Sequence, residues 1–148
     1  MSAHLAIQTG VITALTAAPA VAGGLIRANT SRPLPASASS AVVVRLAQSR
    51  AVNQLLGGPI DWTTTLQIEC LARAASGSAD PVAAVDALLE TVWARLATLP
   101  AASLGAMDVR VAPAIDWQID DSETPAVAAT ITLQVTHRTQ SVALTAWT

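Results

Sequence analysis

From Asp61 to Ala74 the chain alternates with period two. Trp62, Leu66, Ile68, Cys70 and Ala72 fall on even positions, and Thr63, Thr65, Gln67, Glu69 and Arg73 on odd ones. Successive side chains of a strand point to opposite faces, so this pattern predicts a half-buried antiparallel strand. It returns twice. Val109, Val111, Ile115, Trp117 and Ile119 alternate with Arg110, Asp116, Gln118 and Asp120. Val127, Ala129, Ile131, Leu133 and Val135 alternate with Ala128, Thr130, Thr132, Gln134 and Thr136. The turn residues Asp121-Ser122-Glu123-Thr124-Pro125 separate these two runs and predict a hairpin. Three such strands demand a sheet with one wet face and one face that something apolar must cover.

Two helices are expected to supply that cover. Asp80-Pro81 is a helix start, with Asp as N-cap and Pro at the first helical position. Val82, Val85, Leu89, Val92, Leu96 and Leu99 follow at helical spacing, with Asp86, Glu90 and Arg95 off the stripe. Trp93 sits at its edge. The N-terminal segment predicts a second amphipathic helix, from about Ser2 to Ala17, with Ile7, Val11 and Leu15 as its stripe and Pro19 as its stop. A cleaved secretory signal is the competing reading of residues 1–22, since Ala20-Val21-Ala22 mimics a cleavage site. Against it, the first residues carry no Lys or Arg, and Gln8, Thr9, Gly10, Thr13 and Thr16 interrupt the apolar run.

Between helix and alternating strands the pattern weakens. Val21 to Ala28 predicts a short strand that Gly23-Gly24 disturbs. Residues 29–40, rich in Ser and Pro, predict a flexible loop. Ala41 to Ala47, with Val42-Val43-Val44, predicts a strand, and Ala51, Leu55 and Leu56 suggest one helical turn before Gly57-Gly58-Pro59. Residues 140–148 read as a C-terminal arm or short strand. The expected fold is thus one α+β domain over 1–148, in the order α-β-β-β-α-β-β. A mainly antiparallel sheet carries its helices on one face.

Residue chemistry points away from catalysis. The chain has no GxSxG, HExxH, P-loop or GxGxxG pattern. Cys70, the one cysteine, falls in phase with the apolar face and reads as a small buried hydrophobe. The two histidines are far apart: His4 in a terminal region expected to be mobile, and His137 at a strand end as a capping or packing residue. Neither an enzyme nor a cofactor or metal site is expected. Trp62 and Trp117 are expected in the core. Trp147, the second-to-last residue of the sequence, is a candidate to dock on a neighbour, as interface tryptophans do.

Charge suggests what the chain does instead. The first 60 residues hold Arg27, Arg32, Arg45 and Arg50 and no acid, whereas all ten acids follow, with Asp116, Asp120, Asp121 and Glu123 the densest group. Formal net charge is −2 and there is no lysine, which argues against specific nucleic-acid binding. Charged residues make up only 12% of the chain, a value that both a biased composition and a surface covered by subunits would produce. A chain with a basic and an acidic portion can meet copies of itself through two unlike patches, the requirement for a head-to-tail ring.

The order of parts resembles a known family. It comprises an N-terminal helix, the arginine-bearing stretch Gly24-Leu25-Ile26-Arg27 to Ser31-Arg32-Pro33-Leu34, and a strand beginning Asp61-Trp62 and running through Leu66-Gln67-Ile68-Glu69. The Asp80-Pro81 helix with Leu88-Leu89 follows, and then a hairpin ending Leu133-Gln134-Val135-Thr136-His137-Arg138-Thr139. Over about residues 3–140 this is similar to the tail terminator (minor tail, head–tail joining) proteins of long-tailed bacteriophages and prophages. The resemblance implies a structural virion protein in the tail, assembled in the host cytoplasm. Such proteins form a ring, commonly of six subunits, that caps the tail tube, ends its polymerisation and offers the head connector a surface. It implies a homo-oligomer, a tail tube protein and a connector or stopper protein as partners, no membrane, and DNA passing through the ring. The expected contacts are Arg27, Arg32, Arg45 or Arg50 of one subunit against Asp116, Asp120, Asp121 and Glu123 of the next. The alternatives are another tail-completion or connector-stopper protein, and a secreted binding domain with a cleaved signal.

Overall fold

The structure, a computed structural model, describes residues 1–30, 34–54, 56–74, 80–120 and 125–147. Helix α1 spans Ala3–Thr16, strand β1 Ile26–Ala28, β2 Ser40–Gln54 and β3 Ile60–Arg73. Helix α2 (Pro81–Ala97) and strands β4 (Asp108–Asp120) and β5 (Ala126–Thr139) complete the chain. The expected α-β-β-β-α-β-β order is present. The strands form one sheet in the order β1-β2-β3-β5-β4, antiparallel except for the short β1–β2 pair.

Register explains which face is dry. Leu66 pairs with Leu133, Ile68 with Ile131 and Cys70 with Ala129, so residues of like character stand side by side across the centre of the sheet. Ile7, Val11 and Leu15 of α1 and Val85, Leu89, Val92 and Leu96 of α2 join them in one buried cluster. Each helix therefore buries the stripe that its sequence marks. Ser2 caps α1 by accepting from the Leu5 N–H at 3.3 Å, and Asp80 caps α2 by accepting from the Val82 N–H at 3.0 Å. Gly10 gives α1 a close approach: a Cβ there would stand 2.6 Å from Leu104 Cδ2, so the lack of a side chain lets the turn Ala101–Leu104 pack down.

Several expectations need correction. Val21–Gly24 is a 3₁₀ turn rather than strand, because Ala22, Gly23 and Gly24 take φ values of 49°, 60° and 86°, incompatible with an extended ladder. Strand is confined to Ile26–Ala28. The helical turn expected at Ala51, Leu55 and Leu56 is not present among the described residues, where Ala51 lies in strand, and Leu55 lies outside them. β2 continues to Gln54, since β3 offers it backbone partners along its whole length, with irregularities at Leu46/Gln48 and Ala51/Asn53 absorbing the poorer pattern. Trp117 is not in the core but 44% exposed. It keeps the core phase, opposite Ala129, yet it lies on an edge strand, and neither it nor Ile119 packs against the buried cluster. The outer face is not uniformly wet, for Val43, Leu71 and Ala128 form a small buried cluster there. The hairpin turn at 121–124 lies outside the described residues, as do residues 75–79 and Ser31, Arg32 and Pro33.

Candidate functional site

The charged candidates sort onto the two sides of the sheet. Outer-face neighbours follow one row across all five strands: Arg27 beside Val43, Val43 beside Glu69, Glu69 beside Thr130, and Thr130 beside Asp116. A cation thus stands at the β1 border and an anion at the β4 border. β1 covers β2 only from Val42 to Val44, so the rest of β2, including Arg50, forms a sheet edge. β4 forms the other edge, interrupted near Pro113 by a register shift between Val111 and Ile115.

Arg45 is the candidate that the structure reassigns. Its guanidinium donates to Glu69 Oε2 at 2.7 Å within the same subunit. The reason is local: Arg45 and Glu69 lie on adjacent strands with side chains on the same face, one row apart. Arg50 and Asp116 are both exposed and carry no ion pair among the described residues. Asp120 ends β4, also exposed. Arg32, Asp121 and Glu123 lie outside the described residues. Trp147 is half exposed on an ordered arm, its N–H donating to the Arg138 carbonyl at 3.2 Å.

Sequence reasoning missed a polar cluster under the first turn of α1. His4 is not in a loose terminus; α1 carries it onto the sheet. Its ring meets Trp62 and His137 edge-on, with centroids at 5.2 and 4.7 Å. The Thr64 hydroxyl joins three groups: His4 Nδ1 at 3.0 Å, Ser49 Oγ at 2.9 Å and His137 Nε2 at 2.8 Å. Ser49 Oγ also lies 3.1 Å from His4 Nδ1. Thr64 has one hydrogen, so it donates to one partner and accepts from the others. Trp62 closes the cluster by donating from Nε1 to Thr139 Oγ1 at 2.9 Å. The available signal was phase. Trp62, Thr64, Leu66 and Ile68 share parity, so Thr64 is a polar residue aimed at the core that needs partners.

Burial sets the electrostatics of this cluster. Desolvation pushes His137 down to about 4, with the neighbouring His4 adding to the effect, and desolvation likewise lowers His4. Both imidazoles are therefore neutral at pH 7. A serine within reach of a neutral imidazole is one element of nucleophilic catalysis. Here no carboxylate on the described residues orients the ring, and Ser49 is equally held by Thr64. No group of three His, Cys, Asp or Glu among the described residues could hold a metal ion.

A cavity of about 520 Å³ opens on the outer face between Leu34, Leu71, Ala128 and the end of β4. Arg73 lines it, with Nε buried and without a hydrogen-bond partner. Glu69 and Asp120 line it too, so its charge does not favour an anion. Cys70 is buried, and its thiol is pushed up to about 12 by desolvation and then by the Glu69 carboxylate, which leaves it protonated and inert. No helix is long and apolar enough to cross a membrane among the described residues. Comparison with models of known protein families gives no match, and comparison with curated proteins gives none either.

Proposed function

We propose that the chain is a structural subunit of a long-tailed bacteriophage virion, a tail terminator that closes into a ring on the tail tube. The ring ends tube growth and offers the head connector its surface. The observation that carries this reading is the polarity of the sheet. Arg27 and Arg50 mark one border and Asp116 marks the other, and each border includes strand backbone open to pairing. A ring needs two different patches that meet head to tail, and these borders supply them with opposite charge. Arg45 plays no part across the contact, because Glu69 holds it. The ring has no catalytic step, and its partners are further copies of itself, the tube protein and a connector or stopper.

The secreted alternative is less well supported. Ile7, Val11 and Leu15 of α1 lie at the centre of the core, so cleavage after residue 22 would strip one of the two helices from the sheet. Charge reversal tests the ring. Arg50→Glu and Asp116→Lys should each lower the solution mass at low salt, and both together should restore it. Rings that survive each single change at low and high salt would overturn the edge contact. A tail-tube gene beside this one would support the phage assignment, and a neighbourhood of secretion genes would remove it.

A further inference from the structure

We propose that the end of the sheet bearing the β2–β3 connection and the C-terminal arm is a stacking face, on which the same face of a second copy of this chain sits. The register brings four segments together there. Gln54 at the end of β2 pairs with Ile60, and Ile60 pairs with Thr139. Thr139 bridges to Ala146 in the arm. The arm in turn holds the start of α1, where the Ala3 N–H donates to the Leu144 carbonyl at 2.7 Å.

Six of the ten large exposed hydrophobes among the described residues lie on these segments. Leu5, Val52, Leu56, Val142, Leu144 and Trp147 are all exposed there, Leu56 completely and Val142 at 93%. Single exposed hydrophobes need no explanation, but a group at one end marks an interaction site. Together their exposed area is roughly 700 Å², near the ~800 Å² per partner of a stable interface. The arm is ordered before any contact. The Gln140 N–H donates to the Thr145 carbonyl at 3.3 Å and the Trp147 N–H to the Arg138 carbonyl at 3.2 Å, so docking costs little further ordering.

Charge chooses the occupant. Asp61 accepts from Arg138 at 2.6 and 3.0 Å, and Asp108 accepts from Arg110 at 2.6 Å, so the acids near this end are paired internally. Arg50 is the one arginine there without an ion pair among the described residues. An apolar, nearly neutral face can meet its own copy without like-charge repulsion. A single arginine is also too little to draw nucleic acid or an anionic bilayer. The contact is isologous, and its residues Leu56, Val142 and Trp147 lie outside the edge strands of the ring contact, so it can fail on its own.

Sedimentation velocity of the full chain over a range of concentration and salt tests the proposal. The wild type should associate in even multiples, with pairing that persists or tightens as sodium chloride rises. Val142→Glu and Leu56→Glu should each weaken pairing at least tenfold while leaving the thermal melt unchanged. The second variant serves if the first fails to fold. Asp116→Lys, far from this end, should break the edge contact and leave pairing intact. Wild type and both glutamate variants sedimenting alike at every concentration would overturn the proposal. So would wild-type binding to phosphatidylglycerol vesicles without self-association.

Discussion

Replacing Arg95 by methionine should destabilise the protein far more than its position suggests. Arg95 lies in the last turn of α2, off the buried stripe. Its guanidinium reaches across to the end of α1. Nη1 donates to the carbonyls of Ala14, Leu15 and Ala17 at 3.3, 3.0 and 2.8 Å, and Nη2 donates to that of Pro19. The last four carbonyls of a helix have no partner inside it, and the C-terminus carries partial negative charge. α1 has no basic residue of its own in its last turn, so α2 supplies both the donors and the cation. A hydrogen bond to a charged group contributes about 1.5–3 kcal/mol. Nη1 shares two hydrogens among three carbonyls, and water would reach some of these acceptors in the variant. We therefore expect a net loss of about 2–4 kcal/mol from Arg95→Met, which keeps most of the aliphatic stem. For a chain of this size that lowers Tm by roughly 5–15 °C. Arg95→Lys should recover less than half, because one ammonium cannot span all four acceptors. Arg110→Met, which removes an exposed pair with Asp108, should cost under about 1 kcal/mol. Urea unfolding of the three variants at two salt concentrations makes the comparison. If Arg95→Met matched Arg110→Met, the cap would be without energetic weight and the account wrong.

Acid should weaken the fold through the buried imidazoles. Their folded-state pKa values lie below 6.5, so their neutral forms stabilise fully above that pH, and the contribution is lost as pH falls toward about 4. His137 alone corresponds to about 3 kcal/mol; urea midpoints that stay flat across this window would sink the assignment. Asp80→Ala should cost about 1 kcal/mol by uncapping α2, read as a lower urea midpoint at unchanged slope, and a loss below a few tenths would mean that Pro81 alone sets the helix start. Cys70 should resist a thiol reagent at pH 8 in the native protein and react fully in urea, so rapid native labelling would contradict its burial.

What the sequence made legible was periodic. The strands from Asp61, Val109 and Val127 and the Asp80-Pro81 helix were readable because one side chain in two, or one face in 3.6 residues, must be dry. β2 was half legible. Its first residues are buried, whereas Ala47 to Gln54 is exposed throughout and held as strand by pairing to β3 alone. Local pattern cannot carry a pairing that the partner imposes. Trp117 shows the converse: its phase is that of the core, but phase does not say whether a helix lies overhead.

The same distinction separates the two candidate sites. Net charge by segment is a property of sequence, and the row from Arg27 to Asp116 shows that strand order turned it into a direction across the sheet. Had β4 paired with β2 instead of β5, the same residues would sit beside one another and neutralise internally, as Arg45 and Glu69 do. Polarity between the borders thus depends on β5 lying between β3 and β4. The His4–Thr64–His137 cluster depends on that insertion too, since β5 carries His137 next to Trp62. Its members are 60 and 73 residues apart in sequence, and no motif spacing relates them. One choice of topology, made by the α2 crossover, both exposes the acidic border and buries the imidazole.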